Sequence, residues 1–133
     1  MRLSQKCDII DGVDVPKVLK GVRWIASAKD DLSAMPQDIK DDIGFALERV
    51  QAGKTPTNSE PMKGKLRDVR EIWADDEGGT YRAMYTTEIG DVVYVLDAFQ
   101  KKSKSGIATP QRHLDRIEQR LKLAREHYEK TKR

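Results

Sequence analysis

The stretch VVYVLDAF, residues 92–99, constrains the fold more than any other part of the chain, because it is an almost unbroken run of apolar and β-branched residues. Such a run is typical of a strand that is buried on both faces. The next residues, 100–106, carry three lysines and no acidic residue. Thr109 and Pro110 then have the pattern of a helix N-cap and first helical position. A buried strand that ends in a cationic turn is suited to hold a phosphate.

The length of 133 residues fits one domain with a modest core. We therefore predict a single domain over residues 1–133, in which residues 1–15 show no hydrophobic period and form a loose lead-in. The one cysteine, Cys7, excludes an internal disulfide, and no stretch has the pattern of a signal peptide or membrane span. These features predict a cytoplasmic protein.

Charge is distributed unevenly along the chain, although the net charge is only +3. Residues 1–60 hold 9 basic and 10 acidic residues, whereas residues 61–133 hold 16 and 12. The C-terminal excess of positive charge favours an anionic partner, which could be RNA, DNA or an acidic protein segment.

The hydrophobic periods predict a small α+β fold. Its elements, in chain order, are a strand over residues 21–27 (for which a helix is the competing assignment), a helical turn over 29–35, a helix from Pro36 to Gly53, a loop over 55–61, strands over 66–74, 80–87 and 92–99, and a C-terminal helix. The short connections between the last three strands predict antiparallel neighbours. We expect an antiparallel twisted sheet with the two N-terminal helices and the C-terminal helix packed on one face.

Metal-dependent chemistry has little support in the sequence. His113 and His127 are fourteen positions apart, with no cysteine or paired carboxylate at ligand spacing. Phosphate-binding glycine motifs and the nucleophile elbow of serine hydrolases are also absent from the sequence. We therefore expect no metal and no other cofactor.

Two arginines lie in the middle of predicted neighbouring strands. Arg70 and Arg82 either face solvent on an open face of the sheet or converge on that face. Further cations lie at the ends of the three predicted strands. Lys63 and Lys65 precede the first strand, and Lys101, Lys102 and Lys104 follow the third. Such a group of cations would repel one another unless an anion lay between them, and a phosphate backbone is the natural candidate.

Such a surface could act in two ways. A base could take the proton of an RNA 2′-hydroxyl while the cations stabilise the charge that develops on phosphorus, which needs no metal. Alternatively, the cations could bind the nucleic acid without cleaving it.

The segments MKGKLRDVREIW, YRAMY and VVYVLDAFQKKSKSGIATP resemble the RelE/HigB-like toxins of type II toxin–antitoxin modules, and in particular their phage-derived branch. The resemblance extends over about residues 20–126. It implies a ribosome-dependent endoribonuclease that cuts mRNA and uses scattered basic residues. It also implies a cognate antitoxin, often a helix-turn-helix protein, and no membrane.

By this resemblance, the arginine of the family's Tyr-Arg strand falls on Arg82. The family often has histidine at the position of Asp97, which here could serve as a base, reduce the activity, or bind a neighbouring arginine. His113 could supply the imidazole instead, or lie on the helix surface. The predicted catalytic residues are Arg70, Arg82, Lys101, Lys102 and Asp97, and the predicted RNA-binding residues are Lys63, Lys65 and Lys104. The alternative is a non-catalytic nucleic-acid-binding or protein-binding module that retains the fold.

Overall fold

The computed structural model describes residues 19–101 and 110–131, which form five strands and three helices. In chain order they are β1 (Gly21–Trp24), α1 (Ala28–Ser33), α2 (Gln37–Gln51), β2 (Ser59–Pro61), β3 (Arg70–Asp76), β4 (Gly79–Thr86), β5 (Val92–Lys101) and α3 (Gln111–Thr131). The strands form one sheet in the order β1-β5-β4-β3-β2. The predicted α+β class is confirmed. The predicted lead-in, Lys102, Lys104 and the Thr109 cap lie outside the described residues.

The apolar run at residues 92–99 is part of β5, as predicted, and the strand continues to Lys101. β5 has a neighbour on each side, because β1 pairs with its first half in parallel and β4 pairs with it antiparallel. The sheet is therefore mixed, and the prediction of a purely antiparallel sheet is wrong at β1. The chain between β1 and β5 includes two helices and three strands, which is long enough for the crossover that a parallel pair requires.

The helices cover both faces of the sheet, so the prediction that all of them pack on one face is also wrong. One core joins α1 and α2 to one side of the sheet, and its members include Ile39, Ile43, Ile72, Tyr85, Val93 and Val95. A second core joins α3 to the opposite side, and its members include Met84, Tyr94, Leu96, Ile117, Leu121 and Ala124. The physical reason is that β4 and β5 are apolar at both odd and even positions, so each face needs its own cover.

A β-bulge interrupts the pairing of β4 with β5. Met84 pairs with Asp97, but its neighbour Tyr85 pairs with Val95, which leaves Leu96 as an extra residue. Leu96 packs in the α3 core and Asp97 bonds to α3 side chains, so two successive residues face the same helix. A bulge changes the face to which the following residues point. This bulge brings Asp97 under α3.

Two boundaries differ from the sequence prediction. The predicted loop over 55–61 ends in the short edge strand β2, which pairs with β3. The first strand of the meander starts at Arg70 rather than Leu66, because Gly64–Leu66 forms a 3₁₀ turn. Gly64 opens this turn with φ +65°, a conformation that glycine adopts without steric cost.

In the described part of the chain, no helix has the length and apolar character needed to cross a membrane.

Candidate nucleic-acid interface

A groove of about 500 Å³ lies between the sheet and the start of α3. Its lining combines cations, carboxylates and apolar side chains from five parts of the chain: Glu60, Pro61, Met62, Lys63, Lys65, Leu66, Glu71, Arg82, Lys101, Gln111, Leu114, Asp115 and Glu118. The sheet forms its floor, α3 forms one wall, and the segment around Gly64 forms the other. Four of the predicted site residues, Lys63, Lys65, Arg82 and Lys101, meet in this groove.

The floor of the groove holds an arginine, a glutamate and a lysine from three adjacent strands. Arg82 on β4 donates a hydrogen bond to Glu71 on β3 in a salt bridge, and both side chains are largely buried. Lys101 at the end of β5 is 7% exposed. Burial lowers the pKa of Lys101, the Arg82 charge lowers it further, and Glu71 partly offsets both effects. The floor therefore places one carboxylate beside two cations.

The walls carry further charge pairs. Lys63 and Lys65 flank Gly64, so the tight turn places both at the groove, and Lys65 Nζ lies 3.1 Å from Glu118 Oε1 on α3. Among the described residues, the groove lining has equal numbers of cations and carboxylates: Lys63, Lys65, Arg82 and Lys101 against Glu60, Glu71, Asp115 and Glu118. Repulsion among the cations is thus relieved partly within the protein, so the cations do not by themselves require an external anion.

Arg70 does not join this groove, and the prediction that it converges with Arg82 is wrong. In the hairpin of β3 and β4, Arg70 pairs with Tyr85 and Trp73 pairs with Arg82. Since side chains alternate along a strand, Arg70 and Arg82 point to opposite faces. Arg70 instead donates a hydrogen bond from Nη2 to Ser59 Oγ of β2, at 3.1 Å. Arg70 therefore helps to hold the edge strand β2 against β3.

Asp97 is fully buried, so it lacks the access to solvent or substrate that a base would need. Arg116 donates to it from Nε at 3.0 Å, Arg120 donates from Nη1 at 3.2 Å, and the Ala98 amide donates at 2.9 Å. Arg120 also reaches the Leu96 carbonyl and Ser27 Oγ. The alternative that Asp97 binds a neighbouring arginine is therefore confirmed, and the residue fastens α3 to the sheet.

Glu71 is the site residue that the sequence interpretation missed. In the sequence it is one position of the predicted strand over residues 66–74, and no role is predicted for it. The hairpin register places it opposite Met84, on the same face as Arg82, where it is 8% exposed. The available signal was a glutamate within a predicted strand whose neighbouring strand carries Arg82, because a carboxylate that becomes buried in a sheet needs a partner.

His113, near the start of α3, stacks on Phe99 with ring centroids 4.0 Å apart and planes inclined by 10°. Its Nδ1 lies 3.1 Å from Arg116 Nη2. Burial lowers the pKa of His113, the Arg116 and Arg112 charges add to this, and Asp97 opposes it. The imidazole is partly buried rather than free on the surface, and it favours its neutral form.

The lowered pKa of His113 makes the stability of the fold depend on pH. Because the folded state holds this proton less tightly than the unfolded state, the free energy of unfolding should fall as the pH drops below about 6.5 and level off below the folded pKa. The His113→Phe variant, which can keep the stack on Phe99, should show a smaller slope in urea titrations between about pH 5 and 7. A slope that His113→Phe leaves unchanged would contradict the assignment.

In the described residues, no group of three histidine, cysteine or acidic side chains is placed to hold a metal ion. The chemistry available in the groove is that of a carboxylate beside cations, with a cationic stretch following directly after Lys101 in the sequence. A carboxylate can accept a proton, and ammonium and guanidinium groups can bind phosphate oxygens. The groove therefore combines a carboxylate with groups that can bind phosphate oxygens.

Comparison with solved structures identifies the class of fold. The free state of a mutant Escherichia coli toxin RelE superposes with a TM-score of 0.55 at 12% identity, covering 77% of this chain and 98% of that chain. The toxin–antitoxin complex RelBE2 from Mycobacterium tuberculosis gives a TM-score of 0.46 at 24% identity, covering 63% of this chain and 100% of the matched chain. The fold is RelE-like, as predicted. A comparison with curated proteins gave no match.

A comparison of the sequence with models of protein families identifies the family of this chain. Residues 30–122 match the family described as "Phage derived protein Gp49-like (DUF891)". The chain therefore belongs to this phage-derived Gp49-like family, and the predicted phage-derived branch is confirmed.

Proposed function

We propose that this protein is the toxin of a type II toxin–antitoxin module and that it cleaves mRNA on the ribosome. The observation that carries the proposal is the floor of the groove, where Glu71, Arg82 and Lys101 come together from three strands. The RelE-like fold and the phage-derived family support the same class of function.

The proposed reaction uses the RNA 2′-hydroxyl as the internal nucleophile. Glu71 accepts its proton, the 2′-oxygen attacks phosphorus, and the bond to the 5′-oxygen breaks to leave a 2′,3′-cyclic phosphate. Arg82 and Lys101 stabilise the negative charge that builds on the phosphoryl oxygens. Lys101 donates a proton to the departing 5′-oxygen, and its lowered pKa favours this transfer.

The remaining predicted cations have supporting roles in this proposal. Lys63 and Lys65 at the wall of the groove bind flanking phosphates, and Lys102 and Lys104, which follow β5 in the sequence, extend this contact. Because carboxylates of the groove offset its cations, free RNA is attracted only moderately, and the ribosome supplies the mRNA already in place.

A toxin that acts on ribosomes works in the cytoplasm and must be restrained there. The Mycobacterium tuberculosis RelBE2 structure is that of a toxin–antitoxin complex. We propose by analogy that a cognate antitoxin, encoded alongside and built on a helix-turn-helix domain, binds this chain.

Primer extension on mRNA from cells in which the chain is induced tests the proposal directly. We expect growth arrest and discrete cuts, and Arg82→Ala should lower the cleavage about 10²-fold, because it removes one of the groups that stabilise the transition state. Arg70→Ala is the matched control, since it removes an arginine from the opposite face of the same hairpin. If the wild-type chain neither arrests growth nor cuts mRNA, cleavage is excluded.

Binding without cleavage is the second candidate function. The Arg82–Glu71 salt bridge favours it, because the ion pair occupies the carboxylate that would accept the 2′-hydroxyl proton, whereas binding needs no base. An RNA that is retained by the protein but remains intact in the same cells would indicate this function.

A further inference from the structure

The α3 wall of the groove carries hydrogen-bond acceptors that the proposed cleavage chemistry does not use. Gln111 and Asp115 lie one helical turn apart and both line the groove. Gln111 Nε2 donates to Asp115 Oδ1 at 2.9 Å, so the amide is used as a donor within the protein. This hydrogen bond uses one of the two N–H groups of the amide and orients the pair, and the acceptors it leaves are Gln111 Oε1 and the remaining lone pairs of the Asp115 carboxylate.

Apolar side chains lie beside these acceptors. Leu114, between Gln111 and Asp115 in the sequence, also lines the groove, and Met62 and Leu66 come from the opposite wall. All three pack against the α3 core, which holds them in place. The groove volume of about 500 Å³ lies within the range of about 300–1,000 Å³ typical of small-molecule sites. A flat, partly apolar ring with polar edges fits between such walls.

We propose that Asp115 and Gln111 form a nucleobase-recognition subsite that selects guanine and rejects uracil. The inference rests on the proposed function, since it concerns the RNA whose phosphate lies on Arg82 and Lys101. With the phosphate on the sheet floor, the adjoining base extends toward α3 and lies between Leu114 and the Met62 wall. Its hydrogen-bonding edge then meets Asp115.

The chemistry of the four bases gives the selectivity. Guanine offers two adjacent donors, N1–H and the 2-amino group, which a single carboxylate can accept together as a bidentate pair. Adenine and cytosine offer only one amino group at the corresponding edge. Uracil offers a single donor, its N3–H, and a carbonyl oxygen beside that donor would face the second oxygen of the Asp115 carboxylate without a proton between them. The order of preference is guanine first, adenine and cytosine next, and uracil last.

Substituting Asp115 with asparagine tests this subsite, because the amide matches the carboxylate in shape but can present a donor to a carbonyl oxygen. Titration of the purified protein with GMP and UMP, followed by NMR, should give about tenfold tighter binding of GMP to wild type. Asp115→Asn should abolish that ratio. Glu126→Gln, a charge change at an exposed position of α3 outside the groove, should leave the ratio unchanged.

Mapping of cleavage sites in induced cells provides the second measurement. Wild type and Glu126→Gln should show guanine enrichment next to the cut, and Asp115→Asn should lose it while cleavage continues. Cleavage by wild type without base enrichment, or enrichment that persists in Asp115→Asn, would overturn the subsite but leave the nuclease proposal intact. Absence of cleavage together with GMP selectivity that depends on Asp115 would overturn the nuclease and support the subsite. Equal binding of GMP and UMP to wild type would overturn the subsite whatever the cleavage result.

Discussion

Replacing Glu71 by glutamine is expected to lower the rate of RNA cleavage by about 10²–10⁴-fold, the contribution typical of a positioned general base. Glutamine has nearly the same shape and keeps an oxygen that can accept the hydrogen bond from Arg82, so the fold should persist. It cannot accept the 2′-hydroxyl proton at neutral pH. The measurement is single-turnover cleavage of mRNA on programmed ribosomes, with the thermal unfolding midpoint recorded for the same preparations.

Glu71→Gln should not weaken RNA binding, although it lowers the rate of cleavage. Removal of the carboxylate leaves Arg82 without its ionic partner, so the affinity for the RNA phosphate should stay the same or increase while the rate falls. The exposed residue Glu77, in the turn between β3 and β4, supplies the control Glu77→Gln. Wild-type rates in Glu71→Gln, or a loss explained entirely by weaker binding, would remove Glu71 from the role of base.

Replacing Asp97 by alanine is expected to lower the free energy of unfolding by about 3–5 kcal/mol, as is usual when one partner of a buried ion pair is removed. Its carboxylate is completely buried and accepts hydrogen bonds from both Arg116 and Arg120. The Arg120 side chain is only 11% exposed, so it would lose its counter-charge in a place that water hardly reaches. Urea-induced unfolding measures the change.

A more exposed salt bridge of α3 provides the comparison for Asp97. Arg125 Nη2 lies 3.4 Å from Asp68 Oδ2, and both side chains are about half exposed. Asp68→Ala should therefore cost less than about 1 kcal/mol. Similar losses for the two variants would show that burial does not set the strength of the Asp97 network. Because the same helix forms a wall of the groove, Asp97→Ala should also weaken RNA binding at temperatures where it is still folded.

The sequence by itself determined the elements whose signals are local. Residues 92–99 have no polar face, which a buried strand requires, and Pro36 and Gly53 bracket an amphipathic helix that the structure shows as α2. The cations of the groove, Arg82 and Lys101 among them, were also identified from their places at or near strands. The segments that resemble the RelE/HigB-like toxins indicated the RelE-like fold and the phage-derived branch.

Tertiary structure alone decided which of these side chains meet. The hairpin register sends Arg70 to the α2 face and brings Glu71 beside Arg82, and that register depends on where the turn at Asp76 and Gly79 closes. One extra residue, Leu96, moves Asp97 under α3 and into the Arg116 and Arg120 network. Alternation along a strand is a local property, but the face on which it begins and the helix that covers that face are set by long-range packing. A set of candidates drawn from the sequence could therefore include Arg70 and Asp97 and omit Glu71.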